Sequence, residues 1–352
     1  MFKAVKKAFF TAVLCLTTMS SCDTLIFQEE EDCQPTFHVK FRYDMNLKWA
    51  DAFAAEAKSV RLYVFDNDNV LVGTYTENGD ILSDPDFKVD IDLAPGKYSL
   101  LAWCGIDNKL AETDHFAVPD VIVGQTTFDE VTCRLNRYPD TAYGSVLDKR
   151  HEFMFHGTLK IEIPDVRDGG DYTYTVPLTK DTNHIRVVLQ HLSGENLDVS
   201  QFSFRIQDAN GFYASDNSIL PDERLTYLPY KKSEGTASIV RDSKAAGDGV
   251  VKSRTAIADL SVGRLMASRL NDMVLTITND QGKDIARIPV IDYALLAKDY
   301  YETAYGHNMT DQEFLDRQDE YVMTFFIDEN HEWYSAEIYI ESWRIVLQNV
   351  AQ

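Results

Sequence analysis

Phe37-His38-Val39-Lys40-Phe41-Arg42-Tyr43-Asp44 alternates apolar and polar residues without a break. A two-residue period sends every second side chain to the same face, so this stretch reads as a β-strand with one face buried and the other wet. Working outward, residues 60–65 and 70–75 are two more runs rich in β-branched and aromatic residues. Asp66-Asn67-Asp68-Asn69 lies between them as four turn formers, which predicts a hairpin. Residues 87–93 and 98–103 continue the series across a turn at Pro95-Gly96, and only the alanine-rich 52–57 reads as a turn of helix. Strands recurring at about ten-residue spacing, with turn signals between them, predict a β-sandwich.

Over residues 137–150 the alternation fades and Pro139-Asp140, Gly144 and Lys149-Arg150 intervene. This predicts one sandwich over 37–145 and a second over 146–352. In the second, strand patterns recur at 153–163, 172–178, 184–192, 202–206, 256–260, 273–277 and 285–290, and close with 321–326, 335–340 and 343–347. Helix is expected only as short insertions, at 293–301 and after the capping box Thr310-Asp311-Gln312-Glu313. The expected fold class is all-β, two sandwiches in tandem.

The amino terminus is of another kind. Lys3, Lys6 and Lys7 precede an apolar run at 8–16 and then Met19-Ser20-Ser21-Cys22, the layout of a secretory signal peptide over 1–21. Small residues running directly into cysteine resemble a bacterial lipobox, which would make Cys22 the lipidated first residue of the mature chain. Several acyl chains hold a soluble domain on a membrane where one alone binds only reversibly. Residues 22–36, with the acidic run 29–32, read as a solvated tether.

Removing residues 1–21 takes away three lysines and no acid, so the formal charge moves from −22 to −25. With 56 acidic residues against 34 basic, no basic cluster remains to neutralise phosphates, which argues against a nucleic-acid partner. In an oxidising compartment one disulfide is expected among Cys33, Cys104 and Cys133, and Cys104 with Cys133 is the expected pair because both lie in strand-like runs.

No catalytic or cofactor motif is found. Asp66–Asn69 lacks the third oxygen ligand and the glycine of a calcium loop, since Val70 and Leu71 stand there. His151-Glu152 with His156 is one residue too long for the zinc motif HExxH, and in a strand the two histidines face opposite ways. There is no CxxC, no GxSxG elbow and no phosphate loop, so no metal or cofactor is expected and the chain reads as a non-enzyme. Tyr63, Phe65, Tyr98, Trp103, Tyr172 and Tyr174 are read as sandwich core, with a sugar-binding face as the alternative.

Taken together, Phe41-Arg42-Tyr43-Asp44-Met45-Asn46, Leu62-Tyr63-Val64-Phe65-Asp66, Leu93-Ala94-Pro95-Gly96-Lys97-Tyr98 and Ala102-Trp103-Cys104-Gly105 resemble the FimB-type fimbrial anchoring subunits of Bacteroidales. The resemblance continues through residues 176–183, 188–194, 262–266 and 314–321, in order along nearly the whole mature chain. It implies two transthyretin-like sandwiches and an outer-membrane lipoprotein facing the cell exterior. It also implies a role as the membrane attachment of a polymeric fimbria, limiting its length, with the shaft subunit as partner. Shaft subunits of such fimbriae join by donor-strand exchange after cleavage at an Arg or Lys near the mature amino terminus, and residues 23–36 contain neither. An anchor that keeps its first strand would end a polymer. The expected shaft contact is either the final strand, with Trp343, Ile345 and Leu347, donated to the first shaft subunit, or an open groove of this chain that accepts a strand; the plainer alternative is that the final strand only completes its own sandwich. The runner-up reading is a surface glycan-binding lipoprotein.

Overall fold

The computed structural model describes residues 35–106, 115–166, 169–240, 250–328, 333–340 and 343–347. In chain order the first half holds β1 (Thr36–Arg42), α1 (Phe53–Glu56), β2 (Ser59–Phe65), β3 (Leu71–Asn78), β4 (Val89–Ile91), β5 (Gly96–Cys104), β6 (Phe116–Ala117), β7 (Cys133–Leu135), β8 (Tyr138–Asp140), β9 (Gly144–Leu147), β10 (Phe155–Ile163), β11 (Asp171–Pro177) and β12 (Thr179–Lys180). The second half holds β13 (Thr182–His191), β14 (Phe202–Asp208), β15 (Phe212–Tyr213), β16 (Leu225–Tyr227), β17 (Lys231–Val240), β18 (Val250–Gly263), β19 (Val274–Asn279) and β20 (Asp284–Pro289). The chain then passes through α2 (Val290–Leu295), α3 (Lys298–Tyr305) and α4 (Asp311–Arg317) to β21 (Glu320–Ile327), β22 (Trp333–Ile340) and β23 (Trp343–Leu347). The protein is all-β.

In the first sandwich a three-stranded sheet, β11-β1-β4, shares one core with a five-stranded sheet, β12-β10-β5-β2-β3. The alternation read at Phe37 is what builds it: Phe37, Val39 and Phe41 are buried in the same cluster as Val60, Leu62 and Val64 of β2 and Leu100, Ala102 and Cys104 of β5. The intervening residues Tyr63, Phe65, Leu101 and Trp103 point the other way, into a second cluster continuous with the core of the other sandwich. The central sheet is therefore covered on both faces. In the expected hairpin, Asp66 Oδ1 accepts from the backbone N–H groups of Asp68 and Val70, each at 2.9 Å.

The second sandwich pairs β17-β18-β13-β21-β22-β23 with β20-β19-β14-β16-β9-β8. The helices form the crossover between β20 and β21. α4 begins at the expected cap, with Thr310 Oγ1 accepting from Glu313 N–H at 3.1 Å, and α3 ends at Gly306, whose φ of +72° suits glycine. The helix expected at 293–301 is two short ones, broken at Leu296-Ala297.

Sheet membership differs from the expected division at 145/146. Phe155–Ile163 pairs with Gly96–Cys104 in the first sandwich, whereas Gly144–Leu147 pairs in parallel with Leu225–Tyr227 in the second. Pro139-Asp140 and Gly144, which mark the expected boundary, lie at the tip of the β8–β9 hairpin. A turn signal is local and does not reveal that the chain returns to an earlier sheet afterwards.

Candidate anchoring and docking elements

β1 occupies a slot between two strands. It runs parallel to β11, with Val39 opposite Tyr174, and antiparallel to β4, with Val39 opposite Val89. Phe37 stacks on Tyr172 at 5.3 Å and Phe41 on Phe53 at 5.5 Å. Fully burying an aliphatic or aromatic side chain is worth about 1.5–3 kcal/mol, so Phe37, Val39 and Phe41 together hold this strand with a force comparable to the whole stability of a typical domain. On the outer face His38 bridges both neighbours, its Nδ1 2.5 Å from Asp90 and its Nε2 2.9 Å from Asp171. Beside the start of β1 lies an open pocket of ≈ 580 Å³ lined by Pro35, Phe37, Tyr75, Asp90, Leu93 and Pro164 among others.

At the far end of the chain, β23 pairs antiparallel with β22, Trp343 opposite Ile340, Ile345 opposite Ile338 and Leu347 opposite Ala336. The strand bearing Trp343, Ile345 and Leu347 is thus part of its own sheet and, among the described residues, its outermost member. Cys22, the expected lipidation site, lies outside the described residues, as does Cys33.

The expected Cys104–Cys133 disulfide is not formed; both thiols are free and buried. Cys104 belongs to the core between the first two sheets and Cys133 to the cluster on the opposite side of the central sheet. Sharing a sequence segment does not place two side chains on one face of a sheet. Burial raises the pKa of both thiols.

The two sandwiches meet through polar groups that the sequence reading missed. Lys180, nearly enclosed, is ion-paired with Asp319 and lies 2.5 Å from Glu56 Oε2, its ammonium 3.9 Å from the Phe153 ring centre. Arg317 donates to the carbonyls of Asp44 (3.0 Å) and Asn46 (3.3 Å) and lies 3.4 Å above the Trp49 ring, and the Trp49 ring also packs at a tilt against His307, 4.4 Å between centres. Arg264 holds Asp316 through Nε at 2.8 Å and Nη2 at 2.7 Å, with its Nε 3.6 Å from the buried Asp181. Such partners stand up to 273 residues apart, so no local pattern could have announced them.

His151 and His156 are buried packing residues. His156 Nε2 donates to the Ser215 carbonyl at 2.8 Å, and its ring lies 4.7 Å from Trp103. Burial lowers His151 to about 3, His156 to about 4 and His184 to about 4. A histidine with a folded pKa below its unfolded value contributes stability that is complete above about 6.5 and lost as pH falls toward the folded value. Asp181, raised by burial to about 7, acts oppositely, taking up a proton in the folded state first. Three groups outweigh one, so the urea midpoint is expected to fall between pH 7 and pH 5, by about 1.4 kcal/mol per pH unit for each net proton. His151→Gln should flatten that slope; a midpoint independent of pH would contradict the burial of these rings.

Among the described residues the chain is a pair of β-sandwiches whose first strand is packed into its own core and whose last strand lies at a sheet edge. The family profile of the fimbrillin-A associated anchor proteins Mfa1 and Mfa2 matches residues 29–349, and the chain belongs to that family. It is 24% identical over 229 residues to the minor fimbrium anchoring subunit Mfa2 of Porphyromonas gingivalis, a match spanning 64% of each protein. Among solved structures it is similar to a proposed adhesin of Bacteroides thetaiotaomicron (30% identity, TM-score 0.74, 90% of this chain and 99% of that one). It is also similar to a proposed polysaccharide-binding protein of the same organism (27%, 0.73, 91% and 100%). The solved fimbrial anchor Mfa2 of P. gingivalis shares the fold at 19% identity and a TM-score of 0.61, over 89% of this chain and 99% of that one.

Proposed function

We propose that this chain is a non-enzymatic, lipid-anchored subunit that fastens a polymeric fimbria to the outer membrane and limits its length, with the first shaft subunit as its partner. The observation that carries the reading is the place of Thr36–Arg42, paired on both sides and buried on its inner face. A sandwich lacking such a strand offers a neighbour a groove with unpaired backbone groups; one that keeps it offers none, and a polymer ends there. Contact with the shaft then falls to the other end, where the strand bearing Trp343, Ile345 and Leu347 forms the sheet edge. Lipid at Cys22 supplies the mooring; among the described residues no helix is long and apolar enough to cross a membrane.

Deleting the protein is expected to release fimbriae into the medium or leave them unusually long, and Cys22→Ala should move the protein out of the membrane fraction. Normal, cell-bound fimbriae in the deletion strain would overturn the reading. Glycan binding is a second reading, favoured by the similarity to the proposed polysaccharide-binding protein and by the pocket that Phe37 and Tyr75 help to line.

A further inference from the structure

β3 is the outer strand of the five-stranded sheet. Its first residue is already covered by the turn at 122–127, with Gly124 N–H donating to the Leu71 carbonyl and Leu71 N–H donating to the Thr126 carbonyl, both at 2.8 Å. From Gly73 onward it pairs only with β2 among the described residues. The stretch Gly73-Thr74-Tyr75-Thr76 holds neither charge nor proline, and Glu77 is the strand's one ionised side chain. Natural proteins usually blunt such an edge with lysine, proline or a covering loop. Exposed apolar side chains flank the same strand. Eleven large hydrophobic side chains are exposed among the described residues, and four bracket β3: Val72 (37%), Ile122 (56%) and Val123 (56%) at its start, and Ile81 (54%) just past its end.

We propose that the β3 edge is an interface with a second copy of this chain, the two β3 strands pairing antiparallel about a two-fold axis so that the five-stranded sheets join. With Gly73–Asn78 as the paired stretch, the two-fold register sets Glu77 opposite Thr74 and Tyr75 opposite Thr76. No like charges then face each other, and cross-strand aromatic and β-branched pairs are favourable. The same axis carries the Ile122–Val123 turn of one copy toward Ile81 of the other, and the reverse, so each exposed apolar end finds its complement. A foreign strand would satisfy the edge but not both ends at once. The mature chain's formal charge, −22 less the three lysines of residues 1–21 and so −25, opposes association, and salt screens such repulsion beyond about 8 Å at physiological ionic strength. The pairing is therefore weak in dilute solution and strengthened by salt. Confinement to a membrane, as proposed above, would raise the local concentration further.

The test is sedimentation velocity on the mature chain carrying Cys22→Ala, over a range of protein and salt concentrations. A monomer–dimer equilibrium shifted toward dimer by salt is expected. Thr76→Lys on the strand and Ile122→Asp on the turn should each weaken it by at least about tenfold, a difference of about 1.4 kcal/mol. Tyr305→Asp, exposed elsewhere, should leave it unchanged. Thermal melting of each variant checks the fold, and the turn variant keeps the test alive if the strand variant melts early. A monomer at the highest attainable concentration, or a dimer indifferent to both edge variants, overturns the proposal.

Discussion

Val39→Asp is expected to unfold the first sandwich. Val39 is fully buried at the middle of β1, in one cluster with Leu62, Leu100 and Val176. The substitution loses the burial of an aliphatic side chain, about 1.5–3 kcal/mol, and places a carboxyl group where the surrounding cluster is apolar, at a further cost of several kcal/mol. A loss of more than about 4 kcal/mol is a large share of the 5–15 kcal/mol that holds a typical domain together. Arg42→Ala, exposed at the end of the same strand, should cost less than about 1 kcal/mol. Urea denaturation of the two variants beside the parent checks this. Equal midpoints would show that β1 is dispensable to the core, and the account of a self-filled slot would fall with it. In cells the same variant should mimic deletion, with fimbriae shed rather than held.

The second large effect is expected at the junction. Lys180 sits at the end of the first sandwich and Asp319 immediately before β21 of the second, so this ion pair crosses between them. Lys180→Met keeps most of the volume but leaves Glu56 and Asp319 without their shared cation. Removing one partner of a buried pair costs about 3–5 kcal/mol. With the two carboxylates 29% and 28% exposed, water recovers part of that, and about 3 kcal/mol is the expected loss. The triple variant Lys180→Met, Glu56→Gln, Asp319→Asn removes the uncompensated charge and should recover most of the stability. If Lys180→Met alone unfolds like the parent, the junction owes nothing to this pair. Because a single hydrophobic cluster runs from Trp103 through Tyr213 to the core of the second sandwich, the parent chain should unfold in one transition, and the junction variant is where a second one would first show.

Lys180 also marks the limit of what could be read locally. It falls between the strand patterns read at 172–178 and 184–192, and neither Glu56 nor Asp319 stands out among 56 acidic residues. The hairpin at Asp66–Asn69 and the cap at Thr310 were legible because each is closed by bonds reaching at most four residues along the chain. Cys104 and Cys133 were legible as strand residues, yet they do not pair: which face of the central sheet each joins depends on a segment, residues 116–147, that packs on the far side of it.

Period-two alternation, turn chemistry and the near absence of helical patterns follow from contacts within a few residues, and these the amino-acid sequence alone determined: an all-β chain, the hairpin at Asp66–Asn69, the helix cap at Thr310 and the buried face of β1. Sheet order, the return of β10–β12 to the first sandwich, the free thiols and the ion pairs at the junction join residues tens to hundreds of positions apart. Their free energy exists only once both sheets are assembled, because burial and close approach to a partner are properties of the packed chain. Only the tertiary structure could decide them.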